Sequence, residues 1–233
     1  MKKIKKQTKN ILVVAAHPDD EILGCGGSLY KYSLKGYNVN IVFMTNGVSA
    51  RSLTNKAMLF AIKERKNAAI KVAKMIGAKK PFFLNFKDNQ LDNYPLLKVI
   101  KPLEKLIKKT KPNIIYTHYQ DDLNIDHQIA SKAIITICRP QKKNTVKKIL
   151  FFEVPSSTEW QIKKKHKTFS PNYFEDISKV KSYKLRALKY YKSEIKKWPH
   201  PRSIKGVTSL LNWRGATIGV EAAEAFMVGR IIK

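Results

Sequence analysis

Cysteine is nearly missing from this sequence: there are two in 233 residues, Cys25 and Cys138, far apart along the chain. A disulfide-stapled scaffold is thereby excluded, and the chain reads as a reduced, cytoplasmic protein. Long apolar runs are lacking too. No stretch approaches the ~18 apolar residues of a membrane span, so none is expected. There is no internal repeat and no low-complexity linker, and the length suits a single domain over 1–233. Apolar residues make up 43% of the chain, enough for a core, which excludes disorder despite the charge. The N-terminus is basic over Met1–Lys9 and apolar over Ile11–Ala16, superficially like a signal peptide. Its apolar stretch of six residues falls short of the ~7–15 that such a segment needs. It is read as a lysine-rich lead into a first strand.

Acidic residues are scarce, 17 against 46 Lys and Arg, for a formal net charge of +29. That balance invites a nucleic-acid reading, because clustered cations displace counterions from phosphates. Arginine is scarce as well, seven against 39 lysines, whereas bidentate reading of phosphate and guanine favours Arg. The lysines are dispersed through Lys2–Lys9, Lys105–Lys111, Lys142–Lys148, Lys163–Lys167 and Lys179–Lys197, with no aromatic-interleaved stripe among them. No specific nucleic-acid partner is expected, and an anionic small substrate is compatible with the charge.

The few acidic residues are informative. Six of the 17 fall in two windows, Asp19, Asp20 and Glu21, then Asp121, Asp122 and Asp126. The same windows hold three of the five histidines: His17, His118 and His127. Charge balance alone does not gather rare carboxylates around rare imidazoles, and this pattern marks a site.

Apolar β-branched runs predict buried strands at Ile11–Ala16, Val39–Thr45, Phe82–Leu84, Ile114–Thr117 and Lys148–Val154. Helical patterns lie between them at Leu23–Lys35, Lys56–Ile76, Pro95–Lys109 and Ile125–Cys138. Pro155–Lys181 reads as irregular and polar, packing over the sheet edge or the site, and Ser182–Lys196 as a basic helix with Leu185, Leu188 and Tyr191 on one side. Strands alternating with helices imply right-handed βαβ units and an α/β fold, a Rossmann-like three-layer sandwich with a mostly parallel sheet.

Both windows follow predicted strands, and ligands of open α/β sheets bind at the carboxyl ends of strands. In Ala16-His17-Pro18-Asp19-Asp20-Glu21, one turn brings His17 and Asp20 to the same side, able to share a metal ion, while Asp19 points elsewhere. The plainer readings are a surface His/Asp pair and an N-cap at Asp19. Gly24, Gly26 and Gly27 allow close packing of the next helix on the strand. They lack the G-x-G-x-x-G spacing of a dinucleotide loop, and carboxylates stand in the phosphate position. In the second window His127 can supply a third ligand, and Asp126 can orient an imidazole. Two ligands from one loop and one from another leave open positions, the pattern of a catalytic zinc site. Taken alone, His127 reads as a capping or core histidine. Cys25 is assigned no role.

A-H-P-D-D-E at 16–21, with G-C-G-G-S-L at 24–29, resembles the opening motif of the PIG-L/LmbE-type deacetylases, and D-L-N-I-D-H at 122–127 resembles their second metal motif. Weaker similarity extends through Thr45-Asn46-Gly47, the helix from Arg65 to Gly77, Asp88, and the segment from Arg214 to Phe226. The resemblance implies a zinc-dependent hydrolase that removes an N-acetyl group from an N-acetylglucosamine-like small molecule or its conjugate. His17, Asp20 and His127 then bind zinc, with ferrous iron as the alternative, and Asp19 is the general base. Arg65 and Asp88 match positions that contact the sugar. Their plain alternatives are a helix-surface cation and a turn residue.

One departure matters. Relatives carry a histidine three residues before the last ligand, helping to stabilise the oxyanion. Here that position is Asn124, which donates a hydrogen bond but is no acid. His118 and His200 are the candidates to protonate the leaving amine, unless each is structural. A homo-oligomer is compatible with this reading. The competing readings are a metal-dependent hydrolase of another amide or an ester on the same scaffold, and a basic nucleic-acid binder with a vestigial site.

Overall fold

A computed structural model of the chain describes residues 9–141, 145–162 and 168–233. The lysine-rich lead at 1–8 and the parts of the lysine runs at 142–144 and 163–167 lie outside the described residues.

The five expected strands are present and mutually parallel, side by side in the order β3 (Phe82–Phe86), β2 (Asn38–Thr45), β1 (Asn10–Ala15), β4 (Ile114–His118) and β5 (Lys148–Phe152). The sheet then continues with two strands that the sequence pattern did not announce. β7 (Ala223–Ile231) runs antiparallel to β5, and β6 (Tyr173–Asp176) antiparallel to β7. Alternate residues of β1 explain its unbroken apolar run. Ile11, Val13 and Ala15 pack under α1 (Asp20–Leu34), α2 (Asn55–Met75), α5 (Lys181–Leu188) and α6 (Ile204–Ala216). Leu12 and Val14 face α3 (Leu96–Thr110) and α4 (Ile125–Ile137) on the other side. Both faces are covered, so the seven-stranded, mostly parallel sheet is the middle layer of a three-layer α/β sandwich. Each aliphatic side chain buried there contributes about 1.5–3 kcal/mol relative to exposure. Among the described residues, no helix is long and apolar enough to cross a membrane.

Two boundaries and one segment differ most from expectation. α1 begins at Asp20 rather than Leu23, which puts Asp20 and Glu21 in its first turn and makes Asp19 the residue before it. α5 ends at Leu188 rather than Lys196. Beyond it, Tyr191 turns inward to donate its hydroxyl to Glu21 Oε1 (2.6 Å), and Glu194 meets Arg65 and Arg51. These buried polar contacts override the helical period of the lysine-rich run. The segment read as irregular, Pro155–Lys181, contributes β6.

Close packing of α1 on the sheet explains Gly24, where a Cβ would come within 2.3 Å of the Phe152 ring. The same helix is tied to β7 and α5 by a buried ion pair. Lys184 Nζ lies 2.6 Å from Glu224 Oε1 and donates to Leu23 O (2.7 Å), while Glu224 also accepts from the N–H groups of Gly27 and Ser28. Glu224→Ala strands the Lys184 charge in the interior and is expected to lower unfolding free energy by about 3–5 kcal/mol, read from urea denaturation.

Candidate active site

The loop after β1 and the start of α4 meet at the carboxyl end of the sheet, bringing the two windows together. His17 Nδ1 lies 3.2 Å from Asp20 Oδ2 and 3.3 Å from His127 Nε2, and Asp20 Oδ2 lies 3.5 Å from His127 Nε2. Bonds of about 2.0–2.1 Å at tetrahedral angles place donor atoms about 3.3 Å apart. Three nearly equal edges of this length therefore fit one divalent ion of the zinc or ferrous class. Asp20 Oδ1, buried, has no hydrogen-bond partner among the described residues. The outer nitrogens are held by carboxylates. His17 Nε2 faces Asp88 Oδ1 (3.0 Å) and Asp126 Oδ2 (3.1 Å), and His127 Nδ1 faces Asp122 Oδ1 (3.0 Å). Outward N–H groups anchored this way point each imidazole's remaining lone pair at the common centre.

Asp19 stands beside this group in a backbone conformation, φ 132°, that side-chain-bearing residues seldom adopt, at a cost of about 1–3 kcal/mol. Its surroundings impose it. Its N–H donates to Glu21 Oε2 (3.0 Å), and its carbonyl accepts from Ile22 and Leu23. Its side chain makes no capping bond to α1. Instead, Arg65 Nη2 lies 2.8 Å from Asp19 Oδ1 and Arg202 Nη1 lies 3.2 Å from Oδ2. Burial pushes the Asp19 carboxyl above its ordinary pKa, and the two guanidiniums oppose that rise. Burial also lifts the Glu21 carboxyl, to about 8. Burial works against charge on His127, yet the Asp20 and Asp122 carboxylates outweigh it and hold its pKa at about 9. His17 is likewise held well above the ordinary value, because its hydrogen bonds to Asp126, Asp20 and Asp88 outweigh its burial.

Several residues occupy places other than those expected. Arg65 is a buried cation, not a helix-surface one. It donates from Nε to Pro18 O and from Nη1 to Gly47 O, so it fixes Asp19 and the loop rather than standing free. His118 does not open on the cleft: it is fully buried, stacked on the His127 ring at 3.8 Å, and its Nε2 accepts the Ala16 N–H (2.8 Å). Burial and the neighbouring His127 hold its pKa well below the ordinary value. His200 is turned to its own loop, Nδ1 accepting from the Arg202 N–H (3.0 Å), with its ring against Trp160. The C-terminal segment does reach the site, and Arg202 is the residue it delivers.

Asp126 orients His17 and not its neighbour His127. It also accepts from the N–H groups of Asn89 (2.7 Å) and Leu91 (2.9 Å), pinning that turn to α4. The residue that orients His127 is Asp122, itself held by the hydroxyls of Ser157 and Thr158. Asn124 caps α4: its Oδ1 accepts from Asp126 and His127, which turns its amide towards Asn89 Oδ1 (2.9 Å). His17, Asp19, Asp88, Asn124 and Arg202 border a polar cleft of about 290 Å³. Arg202, Glu194 and Arg51 were missed as site residues. The one available signal was arginine's rarity, since three of the seven in the chain border this cleft.

The family model described as "GlcNAc-PI de-N-acetylase" (PIG-L) matches residues 12–138. The Escherichia coli protein named "Uncharacterized deacetylase YaiS" is 32% identical over 191 residues, 79% of this chain and 91% of that protein. The chain belongs to the PIG-L family. A diacetylchitobiose deacetylase of Thermococcus kodakarensis is 28% identical to this PIG-L chain, over 80% of it and 70% of the relative. Among solved structures, the N,N'-diacetylchitobiose deacetylase of Pyrococcus horikoshii superposes with a TM-score of 0.77 at 23% identity, covering 96% of this chain and 84% of that one. The 4-carboxy-2-hydroxymuconate hydratase GalB of Pseudomonas putida superposes at 0.76 and 19% identity, covering 97% and 99%. At these identities the superpositions establish the fold, and the fold alone hosts more than one reaction. The PIG-L relatives' names support hydrolysis of an N-acetyl amide on a sugar.

Proposed function

We propose that this chain is a zinc-dependent N-deacetylase acting on an amino sugar of the N-acetylglucosamine type, with His17, Asp20 and His127 holding the ion. The observation that carries this reading is a buried carboxylate, Asp19, clamped beside three donor atoms with tetrahedral spacing, at the edge of an open cleft. A divalent ion held there supplies Lewis acidity, polarising an acyl carbonyl and lowering the pKa of water towards ~7.

The chain's own residues do the rest. Asp19 accepts the proton of the attacking water at Oδ2, the oxygen held more loosely by its arginine. Arg65 and Arg202 favour the ionised form of that carboxylate against its burial, and aim it. The Asn124 amide donates to the oxygen of the tetrahedral intermediate, its orientation set by the α4 cap. Asp122 and Asp126 hold the two imidazoles in the tautomers that ligation requires. Asp19 then returns its proton to the departing nitrogen, because neither His118 nor His200 faces the cleft. A second reading is another amide or an ester in the same cleft, and Asn124, which supplies no acid for an amine leaving group, favours the ester.

The test is incubation of purified protein with N-acetylglucosamine, N-acetylated disaccharides and nucleotide-linked N-acetyl sugars, with matched esters as controls. The expected result is acetate and free amine in equal amounts, lost with a chelator and restored by zinc. Metal-dependent release from esters alone would shift the assignment to the second reading.

A further inference from the structure

We infer that the protein carries a second binding site, at the amino end of the sheet, for a small organic molecule bearing two or more phosphoryl groups, and that Lys79, Lys80, Lys109 and Asn40 form it. The site stands apart from the catalytic cleft. The six residues of β1 separate Asn10, at its edge, from the loop that holds His17, about 20 Å of extended chain. Strands covered on both faces are apolar throughout, and β1 and β2 depart from this at their amino ends. On the face beneath α3 and α4, Leu12 and Val14 of β1 and Val42 and Met44 of β2 are core residues. Side chains alternate along a strand, so the preceding positions on that face are Asn10, Asn38 and Asn40. With the last turn of α3 these amides line a groove of about 440 Å³, a volume in the range of pockets that hold small organic ligands.

Asn40 is 5% exposed, among buried apolar neighbours in β2. Its Nδ2 donates to Ile11 O (3.3 Å), and among the described residues its Oδ1 accepts no hydrogen bond. Asn38 is engaged in the same one-sided way, donating from Nδ2 to Asn10 Oδ1 (2.9 Å). A buried amide oxygen without a donor is a standing cost to the fold, which a ligand's hydroxyl or amino group relieves.

Charge supplies the other half of the site. Lys79 and Lys80, from the loop before β3, and Lys109, from the last turn of α3, line the same groove, and among the described residues none of them forms an ion pair. Lys109 Nζ lies 5.3 Å from the centre of the Phe82 ring, which also lines the groove. The segments that meet at this end of the sheet, 35–40, 76–82, 109–114, 138–141, 145–149 and 230–233, contain no Asp or Glu, although each carries Lys or Arg. A cation in the last turn of a helix answers the helix dipole, which accounts for Lys109 but not for Lys79, Lys80 or the amide floor. Three ammoniums exceed the charge of one phosphate dianion, so the ligand carries more than one phosphoryl group. Amide oxygens repel phosphoryl oxygens and accept from hydroxyl or amino groups, so Asn38 and Asn40 take the organic part.

The test is calorimetric titration of the full-length protein with ADP, inorganic pyrophosphate and adenosine. ADP is expected to bind once per chain, about tenfold or more tightly than adenosine and more tightly than pyrophosphate. Lys79→Gln/Lys109→Gln is expected to weaken ADP and pyrophosphate alike, by about tenfold. Asn40→Leu continues the apolar face and removes no charge. It is expected to weaken ADP about fivefold and leave pyrophosphate within about twofold, with thermal unfolding confirming the fold. An exposed pair on the α1 side of the sheet, Lys179→Gln/Lys189→Gln, removes the same charge as the groove pair and is expected to shift neither ligand beyond about twofold. Equal losses from the two lysine pairs would show diffuse attraction of anions by a chain of net charge +29 and overturn the inference. ADP binding unchanged in the groove variants would place the nucleotide elsewhere and overturn it, as would adenosine bound as tightly as ADP. If Asn40→Leu does not fold, the comparison of the two lysine pairs decides alone.

Discussion

Asp19→Asn is expected to lower kcat by about 10²–10⁴-fold while zinc content stays at the wild-type value. The substitution keeps the shape of the side chain and removes its capacity to take a proton. It also leaves His17, Asp20 and His127 untouched. Because Arg65 and Arg202 both bind the Asp19 carboxylate, the amide leaves one guanidinium facing an NH₂ group, and some stability is lost with activity. Thermal unfolding measured beside metal content separates the two effects. A folded, zinc-loaded variant with unimpaired turnover would remove Asp19 from the chemistry. The strained backbone at φ 132° is held by the hydrogen bonds and ion pairs around Asp19, as strain at functional positions commonly is.

Zinc affinity is expected to rise steeply with pH, by about tenfold per unit for each imidazole proton displaced. His127 in the metal-free protein is held at about 9 by Asp20 and Asp122 against its burial, and His17 is held well above the ordinary value as well. Both must shed a proton to ligate, so protons compete with the ion at each imidazole, at His127 below about pH 9. Metal-free stability runs the other way. A raised folded-state pKa means that the charged His127 contributes fully below its unfolded value of ~6.5, and the contribution is lost as pH rises through 9. Zinc titrations at pH 6, 7 and 8, with urea unfolding of the metal-free protein over the same range, test both signs. His127→Ala removes a donor and the partner of Asp122 together, and is expected to abolish stoichiometric zinc binding. Zinc affinity independent of pH would contradict the assignment of these imidazoles as ligands.

The parallel half of the fold was legible because strands covered on both faces must be apolar throughout, as Ile11–Ala15 and Ile41–Met44 are. The site's first two segments were legible because rare carboxylates and imidazoles cluster at strand ends. The C-terminal third was not. Its strand β7 carries Glu224 and Gly229 among its apolar residues, and the Glu224 charge is tolerated only because Lys184 arrives from α5. Spacing also identified neighbourhoods better than individuals. Asp122 and Asp126 lie in one window, and which imidazole each orients depends on how α4 meets the loop after β1. Within Pro199–Arg202 the histidine drew attention, whereas the turn it stabilises aims Arg202 at Asp19.

One measurement tests the central claim most directly: bound zinc and acetate release determined on the same samples as metal-free protein is titrated with zinc, using an N-acetylated amino sugar. Activity is expected to rise in proportion to bound metal and to saturate at one ion per chain. Full acetate release from metal-free protein, or no zinc uptake by folded protein, would contradict the account.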